Sequence, residues 1–132
     1  MGYESRIIVI RKCEHNAALQ KDFKYAETMA VYNMCVFPYF QSIFSNDCPA
    51  TKYAPYAQGD GDLLITEDKY GDPLRERTLE EVIACLDDYI TCNPEGEIYS
   101  RVRPLKAMLE EFVKVQKFQG DYYKLAVLHY GY

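Results

Sequence analysis

Two tetrapeptides near opposite ends of the sequence constrain the fold more than anything between them. Ile7-Ile8-Val9-Ile10 and Leu125-Ala126-Val127-Leu128 are apolar at every position. Successive side chains of an extended chain point to opposite faces, so each run is apolar on both of its faces. A strand of that kind belongs inside a sheet, not at its edge. Around the first run, residues 3–12 place Tyr3, Ser5, Ile7 and Val9 on one face and Glu4, Arg6, Ile8 and Ile10 on the other. Around the second, a strand is expected over 122–130. As the most apolar strands in the chain, the two are expected to be neighbours.

Between them the pattern changes twice. Residues 25–36 fit either a helix, through Ala26, Met29, Ala30 and Asn33, or a strand, through Ala26, Thr28, Ala30, Tyr32 and Met34. Aromatic and β-branched content and the lack of an N-cap favour the strand. Pro38 ends it, and Tyr39 to Phe44 has the spacing of a short helix. Residues 52–57 and 62–66 read as a hairpin about the turn Gln58-Gly59-Asp60-Gly61, and 67–73 as a second turn. Thr78-Leu79-Glu80-Glu81 is a capping box: the Thr78 hydroxyl can accept from the Glu81 amide while the Glu81 carboxylate reaches back to the Thr78 amide. The stripe Leu79, Val82, Ile83, Leu86 and Ile90 follows, and Asn93-Pro94 stops the helix. A second helix opens over 100–106 with Pro104 in its first turn, where a missing amide costs least. Leu105, Met108, Leu109, Phe112 and Val115 form its stripe, and Gly120 is placed to end it. Strands early and helices late predict an α+β fold: an antiparallel-dominated sheet of about five strands with two main helices on one face.

Composition bounds the function classes. At 132 residues, 48% hydrophobic and 27% charged, the chain is expected to be a single domain spanning 1–132 that buries its own core. That balance excludes a disordered segment, and no run reaches the ~20 apolar residues of a membrane-spanning helix. A formal charge of −5 argues against a general nucleic-acid binder. Five cysteines, an odd number with no C-x-x-C spacing, predict free thiols in a reducing cytoplasm. The four-residue apolar run followed by Arg11-Lys12 reads as a strand and not as a secretory signal. The excess lies in tyrosine: there are 13, with 6 Phe and no Trp. Several, such as Tyr53, Tyr56 and Tyr70, fall in hairpin and turn segments. A Tyr-rich surface suits an interface, including one between copies of the chain.

No catalytic motif is present: no G-x-S-x-G, Walker loop, dinucleotide glycine set or H-E-x-x-H. The carboxylates Asp60, Asp62, Glu67, Asp68 and Asp72 could hold a divalent cation, but the EF-hand pattern fails because Gly71 stands where the bidentate Glu belongs. No metal and no cofactor is therefore assigned. His15 is expected in a solvated loop and His129 as a packed histidine with one hydrogen bond. The basic residues are few and grouped. Arg101 and Arg103, with Tyr99, precede one helix; Arg75 and Arg77 precede the other; Arg6 lies on the first strand. Helix N-termini favour anions. Guanidinium takes phosphate bidentately and a tyrosine ring stacks on a base. These six residues form the candidate ligand-binding set.

Three stretches, Gly2-Tyr3-Glu4-Ser5-Arg6-Ile7, Tyr70-Gly71-Asp72-Pro73-Leu74 and Val127-Leu128-His129-Tyr130-Gly131-Tyr132, resemble small uncharacterised accessory proteins of phages and prophages of Gram-positive bacteria. The resemblance implies a context in which proteins of this size often inhibit host defence, as anti-CRISPR proteins do or by sequestering nucleotide signals. It brings no site residues with it. The expectation is a non-enzymatic binding protein of the bacterial cytoplasm, with a host protein or a small anionic nucleotide as its partner. The alternatives are a small metal-dependent hydrolase using the 60–72 carboxylates and a virion assembly protein.

Overall fold

Ser5–Cys13 forms β1, and both of its faces are closed: Ile7, Ile8, Val9 and Ile10 are all buried. Each such side chain removed from water is worth about 1.5–3 kcal/mol, so this run is a major contributor to the core. The computed structural model describes residues 4–13, 25–35, 40, 43–45, 47–50, 67–93, 101–119 and 125–131. The expected hairpin over 52–66 and Gly120 lie outside the described residues.

The remaining elements are β2 (Tyr25–Cys35), β3 (Arg75–Arg77), α1 (Leu79–Cys92), α2 (Val102–Gln119) and β4 (Leu125–Gly131). The strands form one antiparallel sheet in the order β2-β1-β4-β3. The two apolar runs are neighbours, with Ile8 opposite Leu128 and Val9 opposite Val127. The fold is α+β, with four strands among the described residues where about five were expected. One of the four is new. Arg75–Arg77, expected only to precede a helix, is an edge strand on β4, with Arg75 opposite His129 and Arg77 opposite Val127.

Residues 25–35 are a strand, as expected, but its alternation is broken. Register shifts fall where β1 passes from Ser5 to Arg6 and from Val9 to Ile10. The second leaves Met29 between Thr28, opposite Ile10, and Ala30, opposite Val9. A bulge of this kind re-aims the chain by one residue. Met29 therefore joins Ala30, Tyr32 and Met34 against the helix-side core, and the regular face expected to run from Ala26 through Thr28 to Met34 is interrupted.

That core joins Ile7, Val9, Leu125 and Val127 of the sheet to Leu79, Val82 and Leu86 of α1 and Val102, Leu105 and Leu109 of α2. Phe40, Ile43 and Phe44 complete it, and Phe44 N–H donates to Phe40 C=O at 3.0 Å, the bond of one helical turn. The opposite sheet face carries a second buried group of Ile8, Ile10, Leu74, Ala126 and Leu128. On α2 the expected stripe holds through Leu105 and Leu109 and then departs from Val115, which is 40% exposed. Val113 packs inward instead, and Gln116 Oε1 accepts from Leu125 N–H at 3.2 Å. The 3.6-residue period carries the inward face from 109 to 113 and 116, leaving 115 outside.

Thr78 caps α1, its hydroxyl accepting from Glu81 N–H at 3.1 Å. The reciprocal half of the capping box does not form: the Glu81 carboxylate accepts instead from Arg77 Nε at 3.0 Å. Asn93 ends the helix, its backbone N–H donating to Tyr89 C=O at 2.9 Å.

Candidate functional site

Four of the six candidate residues fall into two pairs on opposite sides of the sheet. Arg75 and Arg77 side chains are turned to internal tasks. Arg75 Nη1 donates to Cys48 C=O at 2.9 Å, and Arg77 Nη1 donates to Ile43 C=O at 3.1 Å. Arg77 also lies 3.4 Å from Cys85 Sγ. Its net shift is upward: burial works to lower its pKa, and the Glu81 hydrogen bond with the charges at Cys85, Cys48 and Glu81 outweighs it. These contacts fasten the 43–48 segment to β3, where Pro49 C=O also accepts from Glu76 N–H at 2.9 Å.

Arg6 and Arg101, 95 positions apart in sequence, converge at the other edge. Arg6 Nε donates to Asn33 Oδ1 at 3.0 Å, and Arg101 Nη1 donates to Asn33 C=O at 2.8 Å. Arg6 reaches Asn33 across the β1–β2 ladder, in which the two residues are directly paired. Arg101 comes from the start of α2, on the helix side of the sheet. Tyr32 ties the two together: its hydroxyl donates to Arg101 C=O at 2.7 Å. The same carbonyl accepts Leu105 N–H, the first bond of α2. Tyr130 lies opposite Arg6 on β4, sharing its face, and is half-buried.

The start of α2 differs from that of α1. A helix N-terminus carries a partial positive charge, which acidic residues in the first turn ordinarily offset. Helix α1 follows that rule with Glu80 and Glu81; α2 has no acidic residue in its first turn and begins with Arg101 and Arg103. Among the described residues the side-chain contact of Arg101 is to a neutral carbonyl, and its Nε is buried with no hydrogen-bond partner. Arg103 is exposed on α2. Tyr99 lies outside the described residues. Sequence reading missed Asn33 and Tyr32. The available signal was Asn33 itself, a polar side chain interrupting an apolar run.

Two other candidate centres resolve differently. His129 Nε2 and Ser5 Oγ are 2.9 Å apart, the spacing of a nucleophile and its base. Ser5 is fully buried, however, so no substrate reaches its hydroxyl. The ring is stacked on Phe44 at 5.6 Å and tilted against Phe40 at 6.0 Å. Burial pushes the His129 pKa down to about 4, against a smaller upward pull from Asp68. The expected packed histidine is thus a neutral polar pair inside the helix-side core. In the 67–73 turn, Asp68 Oδ1 accepts from Tyr70 N–H at 2.8 Å and Asp72 N–H at 3.0 Å, and Gly71 takes φ +84°. This carboxylate shapes a turn. Among the described residues no three His, Cys, Asp or Glu side chains gather as a metal site, and Asp60 and Asp62 lie outside them. No helix among them is long and apolar enough to cross a membrane.

Comparison of the chain with protein-family models, curated proteins and solved structures returned no match.

Proposed function

We propose that this chain is a non-enzymatic binding protein that sequesters a small phosphate-bearing nucleotide at the Arg6–Asn33–Arg101 edge. In the setting its sequence resemblance implies, a phage accessory protein acting in the host cytoplasm, such a ligand would be a host-defence signal. The observation that carries the reading is Arg101: a guanidinium at the positive end of an 18-residue helix with no acidic residue in its first turn, its buried Nε lacking a partner among the described residues. A phosphate placed there meets the Arg101 guanidinium and the amides of the first helical turn, with Arg6, held on the same Asn33, adding a second positive charge across the strand. Tyr130, beside Arg6, offers a ring for a base.

A thermal-shift screen against mono-, di- and cyclic nucleotides, with inorganic phosphate as the bare anion, tests the reading. A ligand at a hundred times its Kd adds about 2.7 kcal/mol of stability, a readily measured rise in melting temperature. Arg101→Ala and Arg6→Ala should each abolish the rise. Absence of stabilisation by any nucleotide would refute the nucleotide reading and turn attention to a host protein as the partner.

A further inference from the structure

Phe118 is 88% exposed, the most exposed large apolar side chain among the described residues. It does not stand alone. The face of α2 turned away from the core carries Pro104, Ala107, Glu111, Val115 and Phe118 at helical spacing, all exposed. Burying a phenylalanine is worth about 1.5–3 kcal/mol, so leaving one in water on a well-formed helix forgoes stability that a covering surface would recover.

The charges beside this stripe say what covers it. Over the 110–117 stretch Glu110 and Glu111 come first and Lys114 and Lys117 one turn later, and all four are exposed. Toward the start of the helix, Lys106 is already paired with Asp87 and Glu110, and Arg103 lies a further turn back. Read in one direction the 110–117 stretch runs from acidic to basic; turned end for end it runs from basic to acidic. Over that stretch a second copy laid antiparallel sets acidic side chains against basic ones, whereas a parallel copy sets like charges together. A self-complementary patch of this kind is what a two-fold interface requires.

We propose that a second copy of this chain docks here, α2 against α2 antiparallel, about an axis that crosses the exposed face at the level of the 112–113 peptide. In that register Glu111 faces the partner's Lys114, and Phe118 lies over the partner's Ala107, whose small side chain leaves room for the ring. Lys114 Nζ pairs with Glu111 of its own helix at 2.9 Å, and these side chains are 73% and 70% exposed, so both can turn to the partner. The face from 104 to 118 is ~22 Å long. An interface of that extent sits at the small end for specific association, so the dimer is expected to form at tens of micromolar, on the order of 10⁻⁵ M. It uses none of Arg6, Asn33 and Arg101 and stands independently of the nucleotide reading.

Sedimentation velocity on the full chain across roughly 1–500 μM tests it. Wild type should pass from monomer to dimer. Phe118→Asp should remain monomeric. Glu111→Lys puts two lysines face to face and Lys114→Glu two glutamates, so each alone should lose about tenfold or more in affinity. A one-to-one mixture of these two variants restores both opposite-charge contacts and should dimerise like wild type. The substituted side chains are exposed, so melting temperatures should stay near wild type, and that is checked first. A wild type that is monomeric throughout would overturn the proposal. So would a dimer that survives Phe118→Asp, or a mixture no better than its components.

Discussion

The Ser5–His129 pair makes stability depend on pH in a way that can be worked out beforehand. Folding holds the His129 imidazole at a pKa of about 4, against 6.5 for the free side chain, because burial disfavours the charged ring. The unfolded chain therefore takes up a proton first as pH falls. Stability from this group is intact above pH 6.5 and is lost progressively between 6.5 and 4. At ~1.4 kcal/mol for each pH unit, that interval is worth on the order of 3 kcal/mol, a large share of the 5–15 kcal/mol typical of a domain. Asp68 pulls the pKa upward, and Arg75 is paired across from His129 on β3. Other carboxylates add their own pH dependence, so the assay is a difference. Urea denaturation is followed at several pH values between 7.5 and 4 for wild type and for the Ser5→Ala/His129→Phe double variant, in which both polar partners become apolar. The stability gap between the two should shift against wild type by on the order of 3 kcal/mol on acidification, or about 1–3 M in the urea midpoint. A gap independent of pH would refute the reasoning, as would an imidazole signal titrating near 6.5 in the folded protein.

Further outcomes follow from the same contacts. Ser5→Ala alone leaves a buried imidazole nitrogen without its partner and should cost about 1–3 kcal/mol in chemical denaturation, more than the double variant if the pair is coupled. Leu128→Ala empties a fully buried site between β1 and β3 and should cost about 2–5 kcal/mol. Thr78→Ala removes the cap on Glu81 N–H and should lower stability by about 1 kcal/mol. Tyr32→Phe removes the hydroxyl held by Arg101 C=O; it should cost about 1 kcal/mol and weaken any ligand that Arg101 holds, measured by melting temperature with and without that ligand.

What the chain reveals before folding, and what it hides, divides on physical grounds. Ile7–Ile10 and Leu125–Leu128 were readable as central, adjacent strands because apolar residues at every position leave only a fully covered place. The start of α1 was readable because a cap is a local chemical fact, and its unexpected half turned on a long side chain choosing Arg77 over the backbone. β3 was not readable: Arg-Glu-Arg has no strand pattern, and it is extended because β4 offers it a ladder. The bulge at Met29 arises from pairing with β1, so no property of residues 25–35 alone locates it. The Arg residues stand out in the sequence as few and grouped. Their split into Arg75 and Arg77 at one edge and Arg6 and Arg101 at the other depends on which strand each element adopts as neighbour. Asn33 looked like a flaw in an apolar run, and it is the residue on which two guanidinium groups meet.

Arg101, supported by Arg6, is proposed to carry an anionic ligand. Isothermal titration of the best nucleotide into wild type, Arg101→Ala, Arg6→Ala and the control Lys69→Ala, whose side chain is exposed in the 67–73 turn, tests it most directly. The account predicts that binding persists in wild type and Lys69→Ala, weakens with added salt as charge pairing requires, and falls at least tenfold in each arginine variant. Equal affinity for wild type and Arg101→Ala would contradict it.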